Sequence, residues 1–316
     1  FSEPVPTGFR DLDSALYTGL RSREAGMVVA ATGAGKTTTL LNLTTNYLIN
    51  KFPVVFLELE EDMGQLMLKA LSNLVNMSRS KFFDSDNNID KPSLTKVLQL
   101  VDNAYKDNRL GKFNLWNAES FVVTIEDIEN QLKDYFDETG YYPKVLIIDY
   151  PDLMANTFEN SNLQPNVATE RLFHKLRDLA KKYGIILWVA SQANRSGYLS
   201  QDITLYSIEG SKAKTNSMDL IVSVNTTAKE YDEGFTRLKI LKARNRSDKF
   251  PSDSYVKLKV DKSSVRYLDE SPEELEEHQK ILDELGTALN TSPKTNKKMD
   301  YGITDSEIQN LRDRIE

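Results

Sequence analysis

The stretch AATGAGKTTT, residues 30–39, gathers the residue types that handle phosphate. Lys36 supplies a cation and Thr37 a hydroxyl beside it, while Gly33 and Gly35 let backbone amides turn toward an anion. The spacing is that of A/G-x-x-x-x-G-K-[ST], with Ala30 at the opening position where glycine is more usual. A small residue suffices there, so the loop is expected to form. Ala31, Thr32, Gly33, Ala34, Gly35, Lys36, Thr37 and Thr38 would then surround the phosphates of ATP, with Thr37 a ligand of Mg2+. Such a loop needs a carboxylate at a nearby strand end, and Asp149 closes the apolar run KVLIIDY, where it would hold the Mg2+ shell through water. Hydrolysis also needs a group that orients or deprotonates water. FLELEED offers Glu58, Glu60, Glu61 and Asp62; strand alternation and position select Glu60, leaving the others solvated or helix-capping. Gln192 follows a further apolar run in WVASQANRSG, where its amide can bond the γ-phosphate and pass that contact to the next loop.

The elements that must position these groups are legible as short apolar runs. MVVAA (27–31), PVVFLEL (53–59), KFNLWN (112–117), KVLIIDY (144–150) and GIILWVAS (184–191) read as buried strands, and their near-continuous Val, Ile and Leu suits parallel pairing under cover on both faces. Between them KTTTLLNLTTNYLIN opens a helix. VTIEDIENQLKDYF puts Ile125, Ile128 and Leu132 on one stripe, and ATERLFHKLRDLAKKYG does the same with Leu172, Leu176 and Leu179 before stopping at Gly184. Strand–helix alternation predicts an α/β fold, a mostly parallel sheet flanked by helices, with right-handed crossovers that bring the strand C-terminal ends to one edge. MDLIVSV, FTRLKILKAR, DSYVKLKV and SSVRYL follow with turns and no helical pattern, and predict a mainly antiparallel extension of the sheet. The folded domain is expected to span residues 1–269. Residues 270–316 would form a helical tail, with capped helices at Ser271 and Thr304 and a polar linker near 291–302.

Composition narrows the class. With 316 residues, 40% hydrophobic and 28% charged, the chain can bury one large core. It has no cysteine, hence no disulfide framework and no thiolate metal site, and this fits a cytoplasmic protein. His174 and His278 lie far apart and read as ordinary residues. No apolar run reaches membrane-spanning length, so no membrane partner is expected. A net charge of −7 excludes a surface coated with nucleic-acid contacts but not a local basic stripe. The first residue is Phe1, not Met, so the chain is expected to be a piece of something longer.

Taken in order, these segments resemble the RecA-like motor domain of the DnaB-type hexameric replicative helicases. VPTGFRDLDSALYTGL resembles the lead-in to their phosphate loop, VVFLELEEDMGQLM their catalytic-glutamate strand, VLIIDYPDLM their Asp-Tyr segment, and ASQANRS their glutamine motif. ILKARNRS resembles their Lys-x-Arg-Asn segment, which implies that Lys242 and Arg244 reach a γ-phosphate bound by the neighbouring subunit. The resemblance implies a ring that hydrolyses ATP between subunits, pulls on single-stranded DNA with 5′ to 3′ polarity, and meets a primase and a helicase loader. Expected DNA contacts are Arg195, Lys212 and Lys214, the lysines within the loop-like stretch EGSKAKTNSMD. Pro151 and Asp152 stand where the family often has Leu-Gln, and Arg246 where it usually has Gly; divergence of this kind points to a bacteriophage member in a bacterial host. The family's amino-terminal assembly domain has no counterpart in these residues. Two other readings stay open: a RecA-like recombination ATPase that forms filaments, and an assembly module that binds nucleotide without turning it over.

Overall fold

In a computed structural model of the protein, the structure describes residues 2–155, 165–194, 203–208, 211–226, 228–232, 234–248, 250–251 and 255–269. The tail expected over 270–316 lies outside the described residues, as does Arg195. A two-stranded ribbon of β1 (Pro4–Val5) and β2 (Leu20–Arg21) brackets α1 (Arg10–Ala15). Then come β3 (Ala25–Ala30), α2 (Lys36–Ile49), β4 (Val54–Glu58), α3 (Met63–Leu74), α4 (Lys91–Lys106), β5 (Phe113–Asn117) and α5 (Ile125–Thr139). They are followed by β6 (Val145–Asp149), α6 (Pro165–Tyr183), β7 (Ile186–Gln192), α7 (Ser211–Ser217) and β8 (Leu220–Val224). Last are α8 (Ala228–Asp232), β9 (Phe235–Ala243), β10 (Tyr255–Asp261) and β11 (Arg266–Leu268).

One sheet runs in the order β11-β10-β9-β8-β3-β7-β6-β4-β5, and β8, β3, β7, β6, β4 and β5 are mutually parallel. The parallel strands are the expected apolar runs. The antiparallel extension begins one strand later than expected: β8 pairs parallel with β3 and antiparallel only with β9. α8 also interrupts the region expected to hold strands alone, and α7 forms in the stretch expected to be a loop; each is too short to show a helical period in sequence.

The sheet separates two apolar layers. On one side Leu40, Leu43 and Tyr47 of α2 pack on Val28, Phe56, Ile147 and Trp188. On the other, Ile128 and Leu132 of α5 and Leu172, Leu176 and Leu179 of α6 pack on Val29, Leu57, Ile148 and Val189. Each fully buried aliphatic side chain contributes roughly 1.5–3 kcal/mol relative to exposure. The indole N–H of buried Trp188 donates to the Tyr47 hydroxyl at 2.9 Å, tying α2 to β7. Its ring lies so close to Gly26 that a Cβ there would meet it at 2.6 Å.

Register carries the consequence for chemistry. Ala30 stands opposite Gln192, and Glu58 opposite Asp149, so four strands end at one edge of the sheet. The phosphate loop leaves β3 at that edge.

Candidate active site

Gly33 (φ 74°) and Gly35 (φ 97°) are left-handed, a backbone that a side chain would strain. Gly35 is also the N-cap of α2 and offers no capping side chain, so the first-turn amides of that helix are left to face an anion. Thr39 anchors the turn from below, its hydroxyl donating to the Gly35 carbonyl at 2.9 Å.

Lys36 is the first residue of α2 and is largely buried. Its Nζ lies 3.0 Å from Asp149 Oδ1 and 2.9 Å from Glu60 Oε2, and 3.8 Å from the centre of the Tyr150 ring. Burial works against the ammonium charge, but Asp149 and Glu60 outweigh it and hold the Lys36 pKa above its ordinary value. Thr37 Oγ1 donates to Asp149 Oδ2 at 2.6 Å. Burial raises the Asp149 carboxyl above the usual carboxylate range, opposed by Lys36 and Thr37. A hydroxyl and a buried carboxylate side by side are hard oxygen donors, which fits Mg2+ bound mainly by waters and substrate phosphates.

The acidic run at the end of β4 divides by environment. Glu60, 42% exposed at its side chain, reaches Lys36. Glu61 pairs with Lys69, and Asp62 caps α3 by accepting the Gln65 N–H. Glu58 departs from its expected solvated or capping role. It is fully buried, its Oε1 accepts the backbone N–H groups of Glu60 (2.7 Å) and Glu61 (2.8 Å), and burial together with the nearby Asp149 charge raises its pKa to about 8. At the end of β7, the Gln192 amide donates to the Tyr150 hydroxyl at 3.5 Å.

Lys36, Thr37, Glu60, Asp149 and Gln192 are thus one cluster. Lys242 and Arg244 are not in it. Arg244 N–H donates to the Asp219 carbonyl, and Asp219 N–H to Ala25, which sets Arg244 at the opposite end of β3 from the loop. That end is about 17 Å away along the strand, and β9 lies about 10 Å to the side. A register shift opposite Ile221–Val222 turns Lys242 to the same face as Lys239. There its Nζ donates to the Thr215 carbonyl at 2.5 Å. Arg244 lies 3.1 Å from Asp219, which Arg177 holds at 2.6 Å.

The expected DNA contacts separate. Lys212 is exposed at the start of α7. Lys214 is corrected: only 2% exposed, it is ion-paired with Asp152 at 2.6 Å and donates to Ser191 Oγ at 3.0 Å, so it presents no charge to a solvent-side phosphate. Tyr150, for which no role was expected, borders the site under Lys36, and Glu58 stands in register with Asp149 instead of being solvated or capping.

Comparison with known proteins bears on the family and the fold. The profile of the DnaB-like helicase C-terminal domain matches residues 4–252. The chain belongs to that family. It is 25% identical over 200 residues to a probable replicative DNA helicase of Guillardia theta, covering 62% of this chain and 31% of that protein. It is 26% identical over 196 residues to the replicative DNA helicase DnaB of Helicobacter pylori, covering 61% and 37%. The chain therefore spans about a third of the length of these relatives. The fold matches that of a solved ATPase domain with a TM-score of 0.70 at 17% identity, covering 85% of this chain and 92% of that one. It matches a DnaB-like replicative helicase, solved in a study of its interactions with primase, with a TM-score of 0.69 at 17% identity over 85% and 62%. Among the described residues no helix is long and apolar enough to cross a membrane.

Proposed function

We propose that the chain is the ATP-hydrolysing motor of a replicative DNA helicase, working as a ring in which each ATP lies between two subunits. Family membership supports the DNA-unwinding role, and the observation that carries the shared site is the distance between two sets of residues. Lys36, Thr37, Glu60 and Asp149 stand at one end of β3, and Arg244 stands at the other, beyond reach of its own loop. In this reading the loop amides and Lys36 bind the β- and γ-phosphates, Glu60 orients water, and Gln192 reads the γ-phosphate. Thr37 and Asp149 hold Mg2+, which would supply charge neutralisation on the phosphates when bound. The neighbour's Lys242 and Arg244 stabilise the charge that develops as the bond breaks, so turnover depends on subunit geometry. Lys212 and Arg195 touch single-stranded DNA; the hexameric ring, 5′ to 3′ direction, primase, helicase loader and cytoplasmic setting belong to the same proposal.

The test is phosphate release with and without single-stranded DNA, for the wild type and Arg244→Ala. DNA-stimulated hydrolysis that Arg244→Ala loses by about 100-fold or more is expected. Unchanged turnover in Arg244→Ala would remove the shared site, and an open helical filament in micrographs would put the recombination-type reading ahead.

A further inference from the structure

Lys214 has a fully buried ammonium group in a place the catalytic account does not use. Its Nζ is 2.6 Å from Asp152 Oδ1, donates to Ser191 Oγ at 3.0 Å, and lies 5.4 Å from the centre of the Phe173 ring. Asp152 sits in the short turn Pro151–Leu153 that directly follows Asp149 and Tyr150. Ser191 directly precedes Gln192, whose amide reaches Tyr150. One lysine therefore joins α7 to the ends of β6 and β7, the strands that carry Asp149 and Gln192.

The other end of α7 is held differently. The Thr215 carbonyl accepts from Lys242 and the Asn216 carbonyl from Arg244, at 2.5 and 3.3 Å. Ser217 Oγ meets His174 Nδ1 of α6 at 3.1 Å. α7 thus spans from the chain's own nucleotide site to the pair proposed to serve the neighbour's, and it carries exposed Lys212 at its start.

Stability alone is a poor reason for this arrangement. A buried ion pair commonly gives no more stability than apolar residues of the same volume. Here the second carboxylate oxygen, Asp152 Oδ2, is buried with no hydrogen-bond partner among the described residues, which makes the pair costlier still. What such a pair does provide is a fixed register that a small shift of either strand end would break.

We propose that Lys214 is a positioning residue that couples the nucleotide site to the DNA-contacting segment, by pinning α7 to the Asp152 turn and to Ser191. The inference rests on the helicase reading above. When the γ-phosphate contact at Gln192 or the Asp149–Tyr150 segment changes, Asp152 and Ser191 move together or apart, and α7 follows through Lys214.

The test uses the full 316-residue chain with Lys214→Met and Asp152→Leu combined, which replaces the pair by apolar side chains of similar reach. Three quantities are measured: thermal melting, stimulation of ATP hydrolysis by oligothymidylate, and the ratio of oligothymidylate Kd values with a non-hydrolysable ATP analogue and with ADP. The double variant is expected to melt no lower than wild type and to keep basal hydrolysis within about two-fold. Its DNA stimulation should fall at least ten-fold, and its Kd ratio should collapse toward one. Ser191→Ala, which removes one hydrogen bond and little volume, should lower the same ratio two- to five-fold, and it carries the test where the double variant does not fold. A stimulated wild type matched by its variants in stimulation and Kd ratio overturns this inference alone. A wild type with no DNA stimulation overturns the helicase reading and this inference with it.

Discussion

Glu58→Gln separates a buried charge from the hydrogen bonds that surround it. Glu58 ends β4 with no solvent exposure, and its Oε1 holds the backbone of Glu60 and Glu61, while Oε2 has no hydrogen-bond partner among the described residues. Burial, reinforced by Asp149, raises its pKa from 4.5 to about 8. The folded protein therefore binds this proton more tightly than the unfolded chain does. The stability it lends is complete below about pH 4.5 and is lost as pH rises to about 8. At about 1.4 kcal/mol for each tenfold difference in proton affinity, the whole loss is on the order of 5 kcal/mol. Glutamine keeps the accepting oxygen and cannot ionise; its amide replaces the unpaired O–H of the neutral acid, so the two side chains are nearly equivalent at low pH. Urea denaturation without nucleotide and with EDTA should find wild type and variant within about 1 kcal/mol near pH 5. Near pH 9 the variant should be more stable by about 2–5 kcal/mol. Parallel stability profiles across that range would refute the reasoning, because they would mean that Glu58 ionises as readily folded as unfolded. A variant weaker at pH 9 would mean that the charge itself stabilises the strand end.

Further predictions follow from single contacts. Gly26→Ala drives a methyl group into the Trp188 ring, and should cost about 1–3 kcal/mol in urea denaturation and shift the Trp188 emission. Lys36→Ala removes the partner shared by Glu60 and Asp149, and should weaken binding of a fluorescent ATP analogue by at least about 100-fold, as titration would show. Lys212→Ala should weaken oligothymidylate binding and lower the slope of log K against log salt by about 0.7, whatever the base sequence.

Much of the site was legible because its chemistry is local in sequence. A glycine-framed lysine, a carboxylate after four apolar residues and a glutamate two past a strand end each declare their place through the strand that carries them. Parallel register then brings those ends to one edge with no further instruction. What was not legible depends on distant partners. The burial of Lys214 is set by Asp152 and Ser191, both far away in the chain, and a lysine amid Ser, Thr and Asn looks solvated. β8 could not be told from an antiparallel strand because a short apolar run says nothing of its neighbour's direction, and here both directions occur on its two sides. α7 and the ribbon of β1 and β2 are too short for a repeating pattern to be read from the sequence. In sequence Glu58 is indistinguishable from its acidic neighbours, because alternation gives a side chain's face but not how deeply that face is covered.

The claim on which the rest depends is that each site is completed by the neighbouring subunit. Arg244→Ala keeps an intact loop, Glu60 and Asp149; Glu60→Gln keeps an intact Lys242 and Arg244. Each variant alone should hydrolyse ATP at least about 100-fold more slowly than wild type in the presence of single-stranded DNA. Mixed in equal amounts, random pairing makes about a quarter of the sites whole, and hydrolysis should recover toward that fraction of the wild-type rate. A mixture no more active than its components, or normal turnover by Arg244→Ala alone, would contradict the account.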